Sequence, residues 1–154
     1  MTTVKPIPDG YPRVIPYLTV DGATAAIEFY VKVLGAKERM RMDAPGGKIG
    51  HAELEIGESL IMLADPFGDP DAPLTPGALG GSPVTVMVYV TDVDAVHRGA
   101  LEAGATELSP VQDQFYGDRS GVFQDPFGHR WHLATHIEDV PADEMARRMA
   151  AAMG

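Results

Sequence analysis

The chain has no cysteine among its 154 residues. That excludes disulfides, thiolate metal ligands and a cysteine nucleophile. Any metal would have to rest on His, Asp, Glu or weaker donors. Positive charge is scarce as well. Lys and Arg number 12 against 22 Asp and Glu, giving a net charge of −10 and a pI near 4.7. The phosphates of nucleic acid and of anionic membrane surfaces would be repelled. No apolar run approaches the ~18–20 residues that a bilayer span needs. The opening MTTVKPIPDG lacks the apolar core of a signal peptide. A cytoplasmic protein without nucleic-acid or membrane partners is expected. A P-loop and a nucleophile elbow are also missing. Gly46-Gly47 and Gly80-Gly81 read as turns.

What is present is a sequence written twice. At a shift of 70 residues, Val14-Ile15-Pro16-Tyr17-Leu18-Thr19-Val20 falls on Val84-Thr85-Val86-Met87-Val88-Tyr89-Val90. Both runs are rich in β-branched and aromatic residues, which favours strands. A helix is predicted after each. In the first half Asp21 is the expected cap, Ala25, Ala26, Phe29, Tyr30, Val33 and Leu34 recur at helical spacing, and Gly35 stops the run. In the second half Asp92 or Asp94 caps, Val93, Val96, Ala100 and Leu101 form the apolar face, and Gly104 stops it. Three strands are predicted to follow in each half, at 37–42, 49–56 and 60–64, then at 106–111, 121–124 and 130–135. The polar–apolar alternation of His51-Ala52-Glu53-Leu54-Glu55-Ile56 fits a half-buried strand.

This pattern gives an α+β chain of two tandem βαβββ modules, residues 11–65 and 84–137. Residues 66–83 are dense in proline and glycine and read as a linker without regular structure, long enough to serve as a lid or an arm. The tail, 138–154, reads as a short helix after Pro141, with Met145 and Met149 on one face packing down.

The βαβββ repeat resembles the vicinal-oxygen-chelate (glyoxalase/bleomycin-resistance/extradiol dioxygenase) superfamily. So does Ala25-Ala26-Ile27-Glu28-Phe29-Tyr30 followed by Val33-Leu34-Gly35-Ala36. The segments from His51 to Gly57, Gly117 to Gly121 and Asp125 to Trp131 look like its PhnB-like branch. The resemblance covers about residues 12–137. It implies curved mixed sheets around a cup, often completed by a second chain, and hence a homodimer. Its enzymes hold a divalent metal there as a Lewis acid. Other members hold none and enclose apolar compounds.

The resemblance places metal ligands on the first and last strand of each module, here Ile15, Thr85, Met62 and His132. Ile15 cannot ligate, Met62 is too soft for Zn, Mg or Mn, and Thr85 is weak. His132 alone is a good ligand, and a stable site needs three or four donors. No cofactor is therefore expected. A rebuilt divalent-metal site would use His132 with His51 or Glu53. Otherwise those two strand residues are a solvated face. Without a metal, His132 is a candidate general base, since imidazole titrates near neutral pH. Tyr17, Met62, Thr85, Met87, Tyr89 and Phe123 are expected to line the cup with His132. Phe115, Tyr116 and Arg119, in a loop at 112–120, are expected to close its mouth. The leading expectation is a protein that binds a small hydrophobic or aromatic molecule without the metal. The alternative is a metal-dependent lyase, isomerase or dioxygenase rebuilt around His132.

Overall fold

In the computed structural model, which describes residues 3–154, the chain divides into two compact units, Met1–Leu79 and Gly80–Gly154. The first runs β1 (Tyr17–Thr19), α1 (Ala23–Leu34), β2 (Lys37–Asp43), β3 (Ile49–Ile56), β4 (Ser59–Ala64) and α2 (Pro76–Leu79). The second runs β5 (Thr85–Tyr89), α3 (Val93–Glu102), β6 (Thr106–Asp113), β7 (Asp118–Gln124), β8 (Arg130–His136) and α4 (Ala142–Met153). Each unit holds one four-stranded mixed sheet, ordered β1-β4-β3-β2 in the first and β5-β8-β7-β6 in the second. β1–β4 and β5–β8 are parallel, and the other pairs antiparallel. The α+β class and the doubled βαβββ order are those expected.

In the first unit α1 covers one face of its sheet. Its buried side chains include Ala26, Ile27, Phe29, Tyr30 and Val33. Leu18, Ala52, Leu54, Ile61 and Leu63 meet it from the strands, also buried. A Leu of this kind contributes about 1.5–3 kcal/mol by leaving water. Truncating Leu54 to Ala would cost about 2–5 kcal/mol once the cavity is included. Gly35 ends the helix in the left-handed region, φ 67°. β1 is shorter than the seven residues expected. Pro16 has no N–H for the ladder, although its carbonyl still accepts from Met62 N at 3.0 Å.

The start of α1 is held differently from the expectation. Asp21 is not the cap. Asp65, just past β4, accepts from Gly22 N at 2.9 Å and Ala23 N at 3.0 Å through Oδ1, and from Ile49 N at 2.8 Å through Oδ2. One buried carboxylate thus joins helix start, strand β3 and strand end. In the second unit Thr135, 70 residues later, takes the same place: its Oγ1 accepts from Val93 N at 3.0 Å and donates to Val90 O at 2.8 Å. Asp92 caps α3 at Ala95 N.

In the second unit Trp131, Phe123 and Leu133 are fully buried, on the side where α3 presents Val93, His97 and Ala100. Asp125 organises the β7–β8 turn, accepting from Phe127 N, His129 N and Trp131 Nε1, each at 2.9 Å. β7 starts three residues earlier than expected, so 112–120 is not one loop. Only 114–117 separates β6 from β7. Pro110 is tolerated in β6 because that strand is an edge with register shifts around it. Two further expectations are corrected. The proline-rich stretch contains regular structure, the single turn α2, with Pro76 buried. α4 forms, but no residue of it is buried and Met149 is 47% exposed. Polar contacts hold it instead: Arg148 donates to Glu138, Glu144 and the Phe115 carbonyl. No helix among the described residues is long and apolar enough to cross a membrane.

Candidate functional site

The face of the first sheet turned away from α1 follows from strand register. Directly paired residues project to one side. Tyr17 pairs with Met62, Met62 with Glu53, and Glu53 with Met40. His51 projects with Glu53, two residues along β3. The segment before β1 lies against this face. Pro6, Ile7, Pro8, Tyr11, Pro12, Arg13, Ile15 and Met62 line a cavity of about 550 Å³. That size suits a small organic ligand, and mostly apolar walls with a few polar groups are the usual construction.

A chain of polar side chains runs from Tyr11, in the cavity wall, across the same sheet face. Tyr11 Oη donates to Glu53 Oε1 at 2.8 Å. His51 Nε2 lies 2.9 Å from Glu53 Oε2, and His51 Nδ1 lies 2.8 Å from Tyr17 Oη. Arg39 Nε stands 3.9 Å from Glu53 Oε1, its guanidinium stacks on Tyr11 at 4.5 Å, and its Nη1 donates to Gly10 O at 2.8 Å. Glu53 is only 4% exposed, so the strand face is not the solvated one expected. Burial by itself would raise its pKa. Hydrogen bonds from His51 and Tyr11, the charge of His51 when protonated, and the charge of Arg39 outweigh that and hold it below the ordinary value. Glu53 is therefore an ionised, buried carboxylate. Burial and the Glu53 charge raise the Tyr17 hydroxyl, which stays protonated.

The second unit carries a different network. Tyr89 Oη donates to Asp118 Oδ2 at 2.9 Å, and His136 Nδ1 lies 2.8 Å from Asp118 Oδ1. His136 Nε2 lies 2.7 Å from Asp139 Oδ1. Hydrogen bonding to Asp118, then to Asp139, raises the His136 pKa. An open hollow of about 640 Å³ lies beside Tyr89, Val90, Thr91, Thr135 and His136.

The expected residues sort clearly against these faces. Tyr17 and Met62 share the open face of the first sheet. Met87 pairs with His132, Tyr89 with Ala134 and Thr85 with Arg130, which places Thr85, Met87, Tyr89 and His132 on the open face of the second sheet. Phe123 is not with them. It pairs with Trp131, is fully buried, and meets the His97 ring of α3 at 6.2 Å. The one-residue alternation of the strand puts it on the helix side. Arg119 is likewise misplaced by the loop expectation. It belongs to β7, donating to both Asp94 oxygens of α3 at 2.8 and 2.9 Å and to Asp113 at 2.9 Å. Phe115 and Tyr116 do lie in the 114–117 loop, packed edge to face at 5.3 Å and half-buried. Tyr11 and Arg39 were missed by sequence reasoning. Only proline spacing hints that the segment with Tyr11 packs down.

The superfamily's divalent metal does not fit these donors. Ile15 and Met62 are side by side in the cavity wall, where ligands would be needed. His51 and Glu53 are already bonded to each other. Among the described residues no group of three or more His, Asp or Glu is gathered as metal ligands.

Comparison with known proteins agrees with this architecture. The family described as the Glyoxalase/Bleomycin resistance protein/Dioxygenase superfamily matches residues 13–133, and the chain belongs to it. An uncharacterised protein of Mycobacterium bovis is 45% identical over 147 residues, covering 91% of this chain and 93% of that one. The crystal structure of TioX from Micromonospora sp. ML1 is 26% identical with a TM-score of 0.61, covering 84% of this chain and all of that one. A PhnB protein from Bacillus cereus, described as a putative 3-demethylubiquinone-9 3-methyltransferase, shares the fold at 16% identity and a TM-score of 0.64. It covers 80% of this chain and 99% of that chain.

Proposed function

We propose that this protein binds a small apolar or aromatic molecule in the cavity over Ile15 and Met62, without the superfamily's divalent metal. The observation that carries this reading is the lining of that cavity. Five of its eight residues are Pro6, Ile7, Pro8, Pro12 and Ile15, with Met62 as a sixth apolar wall. Met62 is flexible and polarisable, and adapts to ligands of irregular shape. Tyr11 and Arg13 supply the polar groups that fix orientation. Family membership fits the reading, since the superfamily includes bleomycin resistance proteins by its own description.

The test is a thermal-shift screen of neutral aromatic compounds against the wild type and Ile15→Glu. A ligand held at 100 times its Kd stabilises the fold by about 2.7 kcal/mol. For a chain of this size that raises Tm by several degrees, roughly 5–10 °C. Ile15→Glu places a charge in the wall and is expected to abolish the shift. The reading fails if no aromatic compound stabilises the wild type, or if Ile15→Glu responds equally.

A further inference from the structure

The side chains beside the cavity form a directed path. Glu53, ionised and buried, has no proton to give. The short contact at 2.9 Å therefore requires the proton on His51 Nε2. In the neutral ring this leaves Nδ1 as an acceptor, and the group facing it at 2.8 Å is the Tyr17 hydroxyl. Tyr17 is half exposed on the open face of the sheet, beside Met62. Met62, a cavity wall, is the register partner of both Tyr17 and Glu53. The path runs from the edge of the apolar cavity, through one phenol and one imidazole, to a fixed negative charge.

We propose that Tyr17, His51 and Glu53 form a general-base relay that takes a proton from an acidic C–H or O–H of an aromatic compound held over Ile15 and Met62. The proposal rests on the cavity being a binding site for such compounds. The substrate proton passes to Tyr17 Oη while the Tyr17 hydroxyl proton passes to His51 Nδ1. The ring becomes an imidazolium whose Nε2–H points at the Glu53 carboxylate. The substrate keeps the electron pair, as an anion or by expelling a leaving group. Tyr17 touches the substrate. His51 stores the proton, and Glu53 is a positioning residue that fixes the tautomer and stabilises the cation, the arrangement known from hydrolase triads. A carboxylate needing only compensation for burial would be served by Tyr11 and Arg39. Those two face it from the N-terminal segment and from β2. The groups facing His51 are Tyr17 from β1 and Glu53 from its own strand, with Met42 opposite on β2. None of them places a second positive charge against the ring.

The probe is 5-nitrobenzisoxazole, a flat apolar compound that needs only a base. Loss of its C3–H proton forms the nitrile as the N–O bond breaks, releasing 2-cyano-4-nitrophenolate. The relay proton returns to water between turnovers. The expected result is saturable turnover by the full chain. Tyr17→Phe and His51→Gln should each lower kcat by about 100-fold, the usual worth of a positioned base, with KM changed less than about twofold. Nitrogen-15 spectra of the neutral His51 ring should show the Nε2–H tautomer, and Glu53→Gln should alter it. Turnover no faster than buffer, or wild-type kcat in Tyr17→Phe, overturns the relay. So does an Nδ1–H tautomer in the wild type, a reading that needs no variant to fold. Binding of the inert isostere 5-nitrobenzotriazole without turnover of the probe overturns the relay and leaves the binding site standing. Binding of neither removes both.

Discussion

Replacing Asp65 tests whether one carboxylate holds the first module together. Its two oxygens satisfy three backbone N–H groups, on Gly22, Ala23 and Ile49, at 2.8–3.0 Å. Asp65→Ala leaves three donors near the protein interior without an acceptor. Each such loss costs about 1–3 kcal/mol, and water recovers part of it at the helix start. The expected total is about 4 kcal/mol, a large share of a domain's stability. Asp65→Asn keeps one oxygen for Gly22 and Ala23 but turns an amide N–H toward Ile49 N, so about 2 kcal/mol is expected. The assay is urea unfolding followed by far-UV circular dichroism, with amide exchange at Ile49 as the local readout. pH gives an independent check. Burial would raise the Asp65 pKa, but the three N–H donors and Lys48 outweigh it and lower it. A lowered folded value means stability present above the unfolded value of ~3.9, lost as pH falls through the folded one. Asp65→Asn should flatten that acid limb. A loss under about 1 kcal/mol in Asp65→Ala, with Ile49 exchange unchanged, would refute the reasoning.

Two other perturbations follow from the second unit. Gly117 sits at φ 101°, and an added Cβ would run into the Glu138 carbonyl oxygen and crowd Val140. Gly117→Ala should destabilise by about 2–4 kcal/mol through backbone strain and displacement of that carbonyl. A change within about 0.5 kcal/mol in urea unfolding would show that the chain there relaxes freely. His136, raised by Asp118 and Asp139, contributes stability that is complete below its unfolded pKa and fades as pH rises through the folded one. Its ring proton in an NMR titration should move above the ordinary histidine value of ~6.5, and back down in Asp118→Asn. A midpoint at or below the ordinary value in the wild type would contradict the pairing.

The architecture was legible because it is written in local, redundant signals. The repeat of β-branched runs at 70 residues, and glycine at the helix stops, each restate one module. Register within a strand is less redundant. Phe123 falls on the helix side and Arg119 in a strand instead of a loop because the sequence between Asp118 and Gln124 offers little alternation to read. Val122 and Phe123 are adjacent apolar residues, and only pairing with His132 and Trp131 decides which of them faces α3. The Asp65 brace was invisible for another reason. Its partners lie 16 to 43 residues away, and a carboxylate after a strand looks the same whether it caps a distant helix or faces water. Its repeat mate is Thr135, so even the internal symmetry changed the chemistry while keeping the job.

The same limit governs the candidate site. From the sequence, His51 and Glu53 share one strand face that reads as solvated or metal-binding. Neither fits a carboxylate that is buried and triply partnered. What decides between them is Tyr11, 42 residues upstream, and Arg39 on the neighbouring strand, whose contacts arise only when the N-terminal segment folds over the sheet. Hydrogen bonds from His51 and Tyr11, with the charge of Arg39 beside them, hold Glu53 below the ordinary carboxylate value against its burial. An ionised Glu53 keeps the proton on the Nε2 side of His51. In the neutral ring the other side then accepts from Tyr17. The non-ligating Ile15 and Met62 and this network therefore lie on one face of one sheet. Ile15 and Met62 stand where a Lewis acid would need donors, and the proposed relay of Tyr17, His51 and Glu53 asks for none.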